Sequence, residues 1–228
     1  SVKYGLLFHV TNFINDFYPI FWGFGGRIQD DSGAIIFLQP EMLAKAEAAL
    51  TELWSMQGTI VPGPEALPNF APSTSLRQAF LRGETLFMIN WNTRLHDLQV
   101  MMASPQWQGK AAIKSVAQIG VGPIPSQSGR PRKYSNVGSF GWSINRFAVT
   151  NPGVMDNARE FINLVNSDQF QVLRAENAGE IPALQSALGQ VKNPEVLRVY
   201  NTILTGRLTP SAAVQAAAAE LRQNPMMD

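Results

Sequence analysis

The stretch Phe80-Leu81-Arg82-Gly83-Glu84-Thr85-Leu86-Phe87-Met88-Ile89-Asn90-Trp91 decides the fold class of this chain. Its first residues close a helix on a Gly-Glu turn, and a short apolar run then delivers a tryptophan. Residues 86–89 are apolar without alternation, the pattern of a strand buried on both faces of an α/β sheet. In such folds ligands collect at the carboxyl ends of the strands. Here that end reads Asn90-Trp91-Asn92-Thr93-Arg94, one flat aromatic face beside amide, hydroxyl and guanidinium groups. Neither a nucleophile nor an acid–base pair accompanies it.

Working outward, residues 4–10 predict a strand. Thr11-Asn12 offer a cap to a helix over 13–24 with Pro19 inside it, and Gly25-Gly26 end that helix. A short hairpin is expected around Asp30-Asp31-Ser32-Gly33. Pro40 fits the first turn of a long helix, where Leu43, Ala46, Leu50, Leu53 and Gln57 follow helical spacing and Gly58 stops it. The proline-rich residues 59–72 predict a loop. Ser73 is expected to cap a helix over 74–82 that Gly83 terminates. A helix over 95–103 follows the central strand, and 104–115 carry no clear period. Further strands are expected over 118–125 and 142–145, on either side of a Gly/Ser/Pro loop. The last third is helical: Val154, Ala158, Phe161, Ile162 and Val165 repeat at helix spacing, and Ser167 caps a helix that Gly179 ends. Asn193-Pro194 and Thr209-Pro210 open two more. This order predicts an α/β fold, and no internal repeat is visible.

Composition narrows the function. With 228 residues and 45% apolar content, the chain can bury a full core as one large domain or two smaller ones. A net charge of +1 with 15% charged residues argues against a nucleic-acid surface, which needs a concentrated basic face. The one basic cluster, Arg130-Pro131-Arg132-Lys133, falls in the Gly/Pro/Ser stretch and is most simply a solvated loop. Cysteine is absent, which excludes disulfides, thiol catalysis and cysteine metal sites but leaves the compartment open. No apolar run approaches the roughly 20 residues of a membrane span. The abrupt, strand-like start at Ser1-Val2-Lys3-Tyr4 suggests a processed or truncated piece of something longer.

Catalytic patterns find little support. His9 sits in an apolar strand and His96 on a polar helix, where structural or surface roles are expected. There is no Gly-x-Ser-x-Gly elbow, and Asp30 and Asp31 belong to a turn. Gly23-Phe24-Gly25-Gly26 and Gly120-Val121-Gly122 lack the helix, lysine or third glycine of a phosphate loop. No His, Asp or Glu cluster has metal spacing, and no cofactor is implied. What remains is aromatic. Phe13, Phe17, Tyr18, Phe21, Trp22 and Phe24 crowd one segment and are mostly expected in the core. Trp91 and Trp142 stand at strand ends beside glycine and amide groups, as core residues or as stacking faces for a ligand. Sugar rings offer apolar C–H faces to such planes while their hydroxyls need polar edges. Asn12, Asn15, Asn92, Arg94 and Ser139 are candidates for those edges.

Three segments then resemble the extracellular solute-binding proteins of ABC importers, in particular the maltose-binding-like carbohydrate group. They are residues 17–28 with their double glycine, the Phe80–Trp91 stretch, and Val121-Gly122-Pro123-Ile124-Pro125 followed by Gly138-Ser139-Phe140-Gly141-Trp142-Ser143-Ile144-Asn145 and Ala158-Arg159-Glu160-Phe161-Ile162. The tail Asn177-Ala178-Gly179-Glu180-Ile181-Pro182-Ala183-Leu184 agrees. The resemblance implies a periplasmic-binding-protein-like (type II) lobe, a mixed sheet flanked by helices with a helical C-terminus. Residues 1–116 would be the main part of a C-terminal lobe, 117–180 the strands and helices that cross into the N-terminal lobe, and 181–228 the closing helices. The N-terminal lobe proper would not be in this chain, which leaves self-association as one way to cover the crossing elements.

By the same resemblance the protein is a non-enzymatic, periplasmic or extracellular binder of a carbohydrate-like solute. It would hand its cargo to the transmembrane subunits of a permease and touch the membrane only peripherally, with a lipid anchor in the full-length protein as one option. The implied ligand contacts are Trp91 with Asn92 to Arg94, Gly141 with Trp142, and Asn15 to Phe17. Many sugar binders carry proline-tryptophan where this chain has Asn92-Thr93, which leaves a polyol or a glycerol-phosphate-type solute open. A carbohydrate-active enzyme or accessory domain, and a helical interaction module over 154–223, are the rival classes. The first needs two carboxylates flanking a cleft, and neither tryptophan has such a pair beside it.

Overall fold

The computed structural model describes residues 1–9, 13–124, 135, 138, 141–145 and 152–204. Its centre is a parallel pair of strands, β1 (Tyr4–Leu7) and β2 (Thr85–Met88), in the register Tyr4↔Thr85, Leu6↔Phe87 and Leu7↔Met88. Parallel neighbours need a long crossover. Here it is made by three helices, α1 (Phe13–Gly23), α2 (Pro40–Ser55) and α3 (Ser73–Leu81). The ladder continues past the strands, since the Ile89 amide donates to the Leu7 carbonyl at 2.9 Å. On its other edge β1 meets the loop after α2, where the Gly5 and Leu6 amides both donate to the Ile60 carbonyl, at 2.7 and 3.0 Å.

Three apolar clusters brace this centre. Leu7 packs with Leu76 and Ala79 of α3, between Tyr4, Phe70 and Met88. Phe17 and Phe21 of α1 meet Ala46, Ala49 and Leu53 of α2. The far end of α3 turns Leu81 toward Leu95 and Leu98 of α4 (Arg94–Ala103), with Trp107, Ala111, Ile119 and Val199. The double glycine after α1 has a packing reason: a Cβ on Gly26 would lie 2.0 Å from the Phe21 ring.

The C-terminal part is a set of helices: α5 (Pro152–Val165), α6 (Asp168–Ala178), α7 (Gln185–Leu188) and α8 (Pro194–Val199). Ser167 caps α6 by accepting from the Phe170 amide at 3.3 Å, and Gly179 ends it at φ +67°. Asn193 accepts from the Glu195 and Val196 amides ahead of Pro194, as the sequence predicts.

Several expectations need correction. β2 is not buried on both faces: Leu86 and Phe87, neighbours in the strand that point to opposite faces, are 56% and 62% exposed. Residues 116–118 form a 3-10 turn under a Ser115 capping box, and 119–124 and 141–145 take no regular structure. The strands expected at 118–125 and 142–145 therefore do not form among the described residues, and the sheet there has two strands where a larger mixed sheet was expected. The hairpin reduces to one antiparallel bridge, Gln29↔Ile35. On α2 the buried stripe is Met42, Ala46, Ala49 and Leu53, one residue round from the expected one, so that Leu43 and Leu50 face outward. Ser73 opens α3 but caps nothing, and its hydroxyl accepts instead from Arg77 Nη1 at 2.5 Å. Thr11-Asn12 and Thr209-Pro210 lie outside the described residues, as do Arg130, Arg132 and Lys133.

Candidate functional site

The parallel pair points both its carboxyl ends at one place, the start of α1, and a hollow opens there. His9 and Asn90 each stand two residues beyond the end of their strand, so the Leu7↔Met88 register brings them together. His9 Nε2 lies 3.0 Å from Asn90 Oδ1, and the Trp91 backbone amide donates to that same oxygen at 3.0 Å. An amide oxygen only accepts, so Nε2 carries the proton. The His9 backbone N–H donates to Asp16 Oδ2 at 2.6 Å, tying the end of β1 to the first turns of α1.

Asp16 is 7% exposed, and burial pushes its carboxyl up to about 7 against the lowering effect of the His9 N–H. Asn15, Pro19, Ile89, Ile124 and Ser135 complete the lining with His9, Asp16, Asn90 and Trp91. The indole of Trp91 is half-buried, and Gly138 lies against its far edge, where a Cβ would sit 3.1 Å from Cζ3. The hollow thus offers an aromatic ring, amides, a hydroxyl, an imidazole and one carboxyl.

The structure brings Trp91 and Asn15 of the expected residues to this hollow. The other described ones do not line it. Asn92 turns away and donates through Nδ2 to the Gly179 carbonyl at 3.3 Å, joining the start of α4 to the end of α6. Arg94 spends its guanidinium on Asp97, with Nη1–Oδ2 at 2.7 Å, beside Arg77 at 3.8 Å from the same oxygen. Phe17 is a core residue, stacked on Phe21 with centroids 5.9 Å apart. Trp142 is 66% exposed and rests edge-on against Phe161 of α5 at 5.2 Å, and Gly141 stands in open space. Ser139 and Asn12 lie outside the described residues.

Sequence reasoning missed His9 and Asp16 as site residues. His9 reads as one polar residue in an apolar run, and Asp16 as an ordinary first-turn acid. The strand register sets His9 opposite Asn90, and the placement of α1 brings Asp16 to the His9 amide, so that both line one hollow.

The site therefore falls where α/β folds gather ligands, at the carboxyl edge of parallel strands beside a helix start. The chain matches no protein-family model and no curated protein. Among solved structures it is similar to the maltose-bound MalE3 of T. maritima, with a TM-score of 0.65, 24% sequence identity and 98% of this chain covered. It spans about half of that protein, 55% of its length. The likeness is one of fold, and it takes in nearly all of this chain. Among the described residues no helix is long and apolar enough to cross a membrane.

Proposed function

We propose that this chain is the solute-binding part of an ABC importer that captures a carbohydrate-like solute and delivers it to a membrane permease, outside the cytoplasmic membrane. The observation that carries this reading is the hollow at the ends of β1 and β2: one indole plane with amide and hydroxyl groups at its edge, on a fold similar to that of a maltose-bound protein. A sugar or polyol needs that combination, an apolar plane for its C–H face and hydrogen-bonding partners around the rim.

The match over about half of MalE3 supports the division into a C-terminal lobe (1–116 and 181–228) and crossing elements (117–180). Trp142 and the outward apolar residues of α5 fit this division, since crossing elements are built to be covered by the other lobe. Binding would work by hinge closure: a ligand touched by both lobes only when they close stabilises the closed form, which the permease reads.

The lining also bears on the rival classes. A glycosidase needs paired carboxylates, and among the described lining residues Asp16 is the only acid. A phosphorylated solute needs a cation, and Arg94 is engaged by Asp97 away from the hollow.

The test is a calorimetric and thermal-shift screen of the full-length protein against mono- and oligosaccharides and polyols, repeated with Trp91→Ala. At least one should bind, and the substitution should weaken it up to roughly ten-fold, as expected for loss of a stacking plane worth about 0.5–1.5 kcal/mol. Silence across the screen, or hydrolysis of a bound sugar, overturns the proposal.

A further inference from the structure

Among the described residues the hollow carries one acid, Asp16, and no lysine or arginine to match it. Asp16 lies in its wall with 93% of its surface covered, and among the described residues its hydrogen-bond partner is a backbone N–H. Among the described residues, the ionisable groups on elements packed against Asp16 are few. His9, on the extension of β1, has its Nε2 proton committed to Asn90. Tyr18 on α1 stacks on Trp22. On α2, which meets α1 through Phe17 and Phe21, Glu41 pairs with Lys45, and Glu47 and Glu52 face outward.

A buried carboxyl without a cation is costly to ionise, and burial holds this one well above the ordinary range. A ligand that brings its own cation removes that cost. It gains a charge-assisted hydrogen bond in a poorly solvated place, with the indole face of Trp91 also favourable to a cation. An anionic ligand meets the opposite situation.

Resting on the sugar-binding reading above, we infer that the hollow selects an amine-bearing sugar or aminopolyol, whose ammonium group pairs with the Asp16 carboxylate while its carbon skeleton lies on Trp91. Uptake of such a ligand ionises Asp16, so binding near neutral pH releases a proton to solvent. Asn90 and His9, joined by their hydrogen bond, hold the shape of the site.

The test is calorimetry of the full-length protein with matched pairs that differ by an amine for a hydroxyl: glucamine and sorbitol, glucosamine and glucose, galactosamine and galactose. At about pH 7.5 the amine member of at least one pair should bind about five-fold or more tighter, the margin of a charged over a neutral hydrogen bond. That preference should shrink at about pH 5, where Asp16 is protonated, and vanish in Asp16→Asn, which should not distinguish the two members of a pair. Equal or tighter binding of the neutral member in every pair overturns the inference, as does a preference that persists at pH 5 or in Asp16→Asn. Should Asp16→Asn fail to fold, the pH comparison on the unaltered protein decides alone. If none of the six ligands binds, the inference falls, and the wider sugar screen decides separately whether the proposed function falls with it.

Discussion

Helices α3 and α5 carry the same kind of amphipathic pattern and meet opposite fates. In α3, nine residues long, Leu76, Ala79 and Leu81 are all completely covered. In α5, fourteen residues long, only Val165 is buried, while Val154, Phe161 and Leu164 are 51%, 46% and 57% exposed. The difference lies in what each helix meets. α3 lies against β2 and α4 and fills two of the apolar clusters at once. The apolar side of α5 meets Trp142, itself mostly exposed. An apolar stripe therefore says that a face is built to be covered, and only the fold says whether the cover is part of the same chain.

The sharpest way to break this contrast is a truncation on the packed side. Phe21 is wholly buried, stacked on Phe17 and edge-on to Phe37 at 5.6 Å, with Gly26 against its ring. Phe21→Ala should cost about 3–5 kcal/mol, the transfer term plus an unfilled cavity, read from urea unfolding midpoints. A loss below about 1 kcal/mol would mean that the α1–α2 cluster is not a cooperative core.

Asp16 sits on the seam between core and site, and it sharpens the comparison through pH. Its carboxyl ordinarily titrates near 3.8 and in the folded chain near 7. Between those values the folded state holds a proton that the unfolded state has released, so stability declines as pH rises through that window and is level above it. The full decline is as much as about 4 kcal/mol at 1.36 kcal/mol per unit. Asp16→Asn should remove the slope and melt higher than the parent at pH 8, with little difference at pH 4. Glu84 acts the other way: hydrogen bonds from Arg82 and Lys3 hold its carboxyl down to about 2, so its contribution is present above the usual glutamate range and fades as pH falls toward 2. A stability profile of Asp16→Asn that still falls between pH 4 and 7 would contradict the burial of this acid.

Much of the fold was legible because its signals are local. Caps such as Ser167 and Asn193 and the stop at Gly179 each act within a few residues, and all three hold. The candidate hollow lies at the end of the apolar strand that the sequence singles out. What was not legible depends on distant partners. Residues 119–124 and 142–145 have the composition of strands, but a strand needs a neighbour to bond to, and composition does not supply one. Phe17 and Arg94 looked available for a ligand because Phe21 and Asp97, which occupy them, become visible only through helix packing and side-chain geometry. His9 and Asp16 were overlooked for the same reason in reverse: their meeting depends on the β1–β2 register and the angle of α1.

The smallest expected effect tests the exposed side of the comparison. Phe161 is nearly half exposed and its aromatic contact is with Trp142, which water already reaches. Phe161→Ser exchanges one solvated surface for another, so it should change stability by no more than about 0.5 kcal/mol, and the melting curve should barely move. If the face of α5 is one that another body covers, the same substitution should reduce concentration-dependent association in sedimentation velocity while leaving the fold intact. A loss of several kcal/mol would instead show that α5 is held by a core within this chain, and the contrast with α3 would collapse.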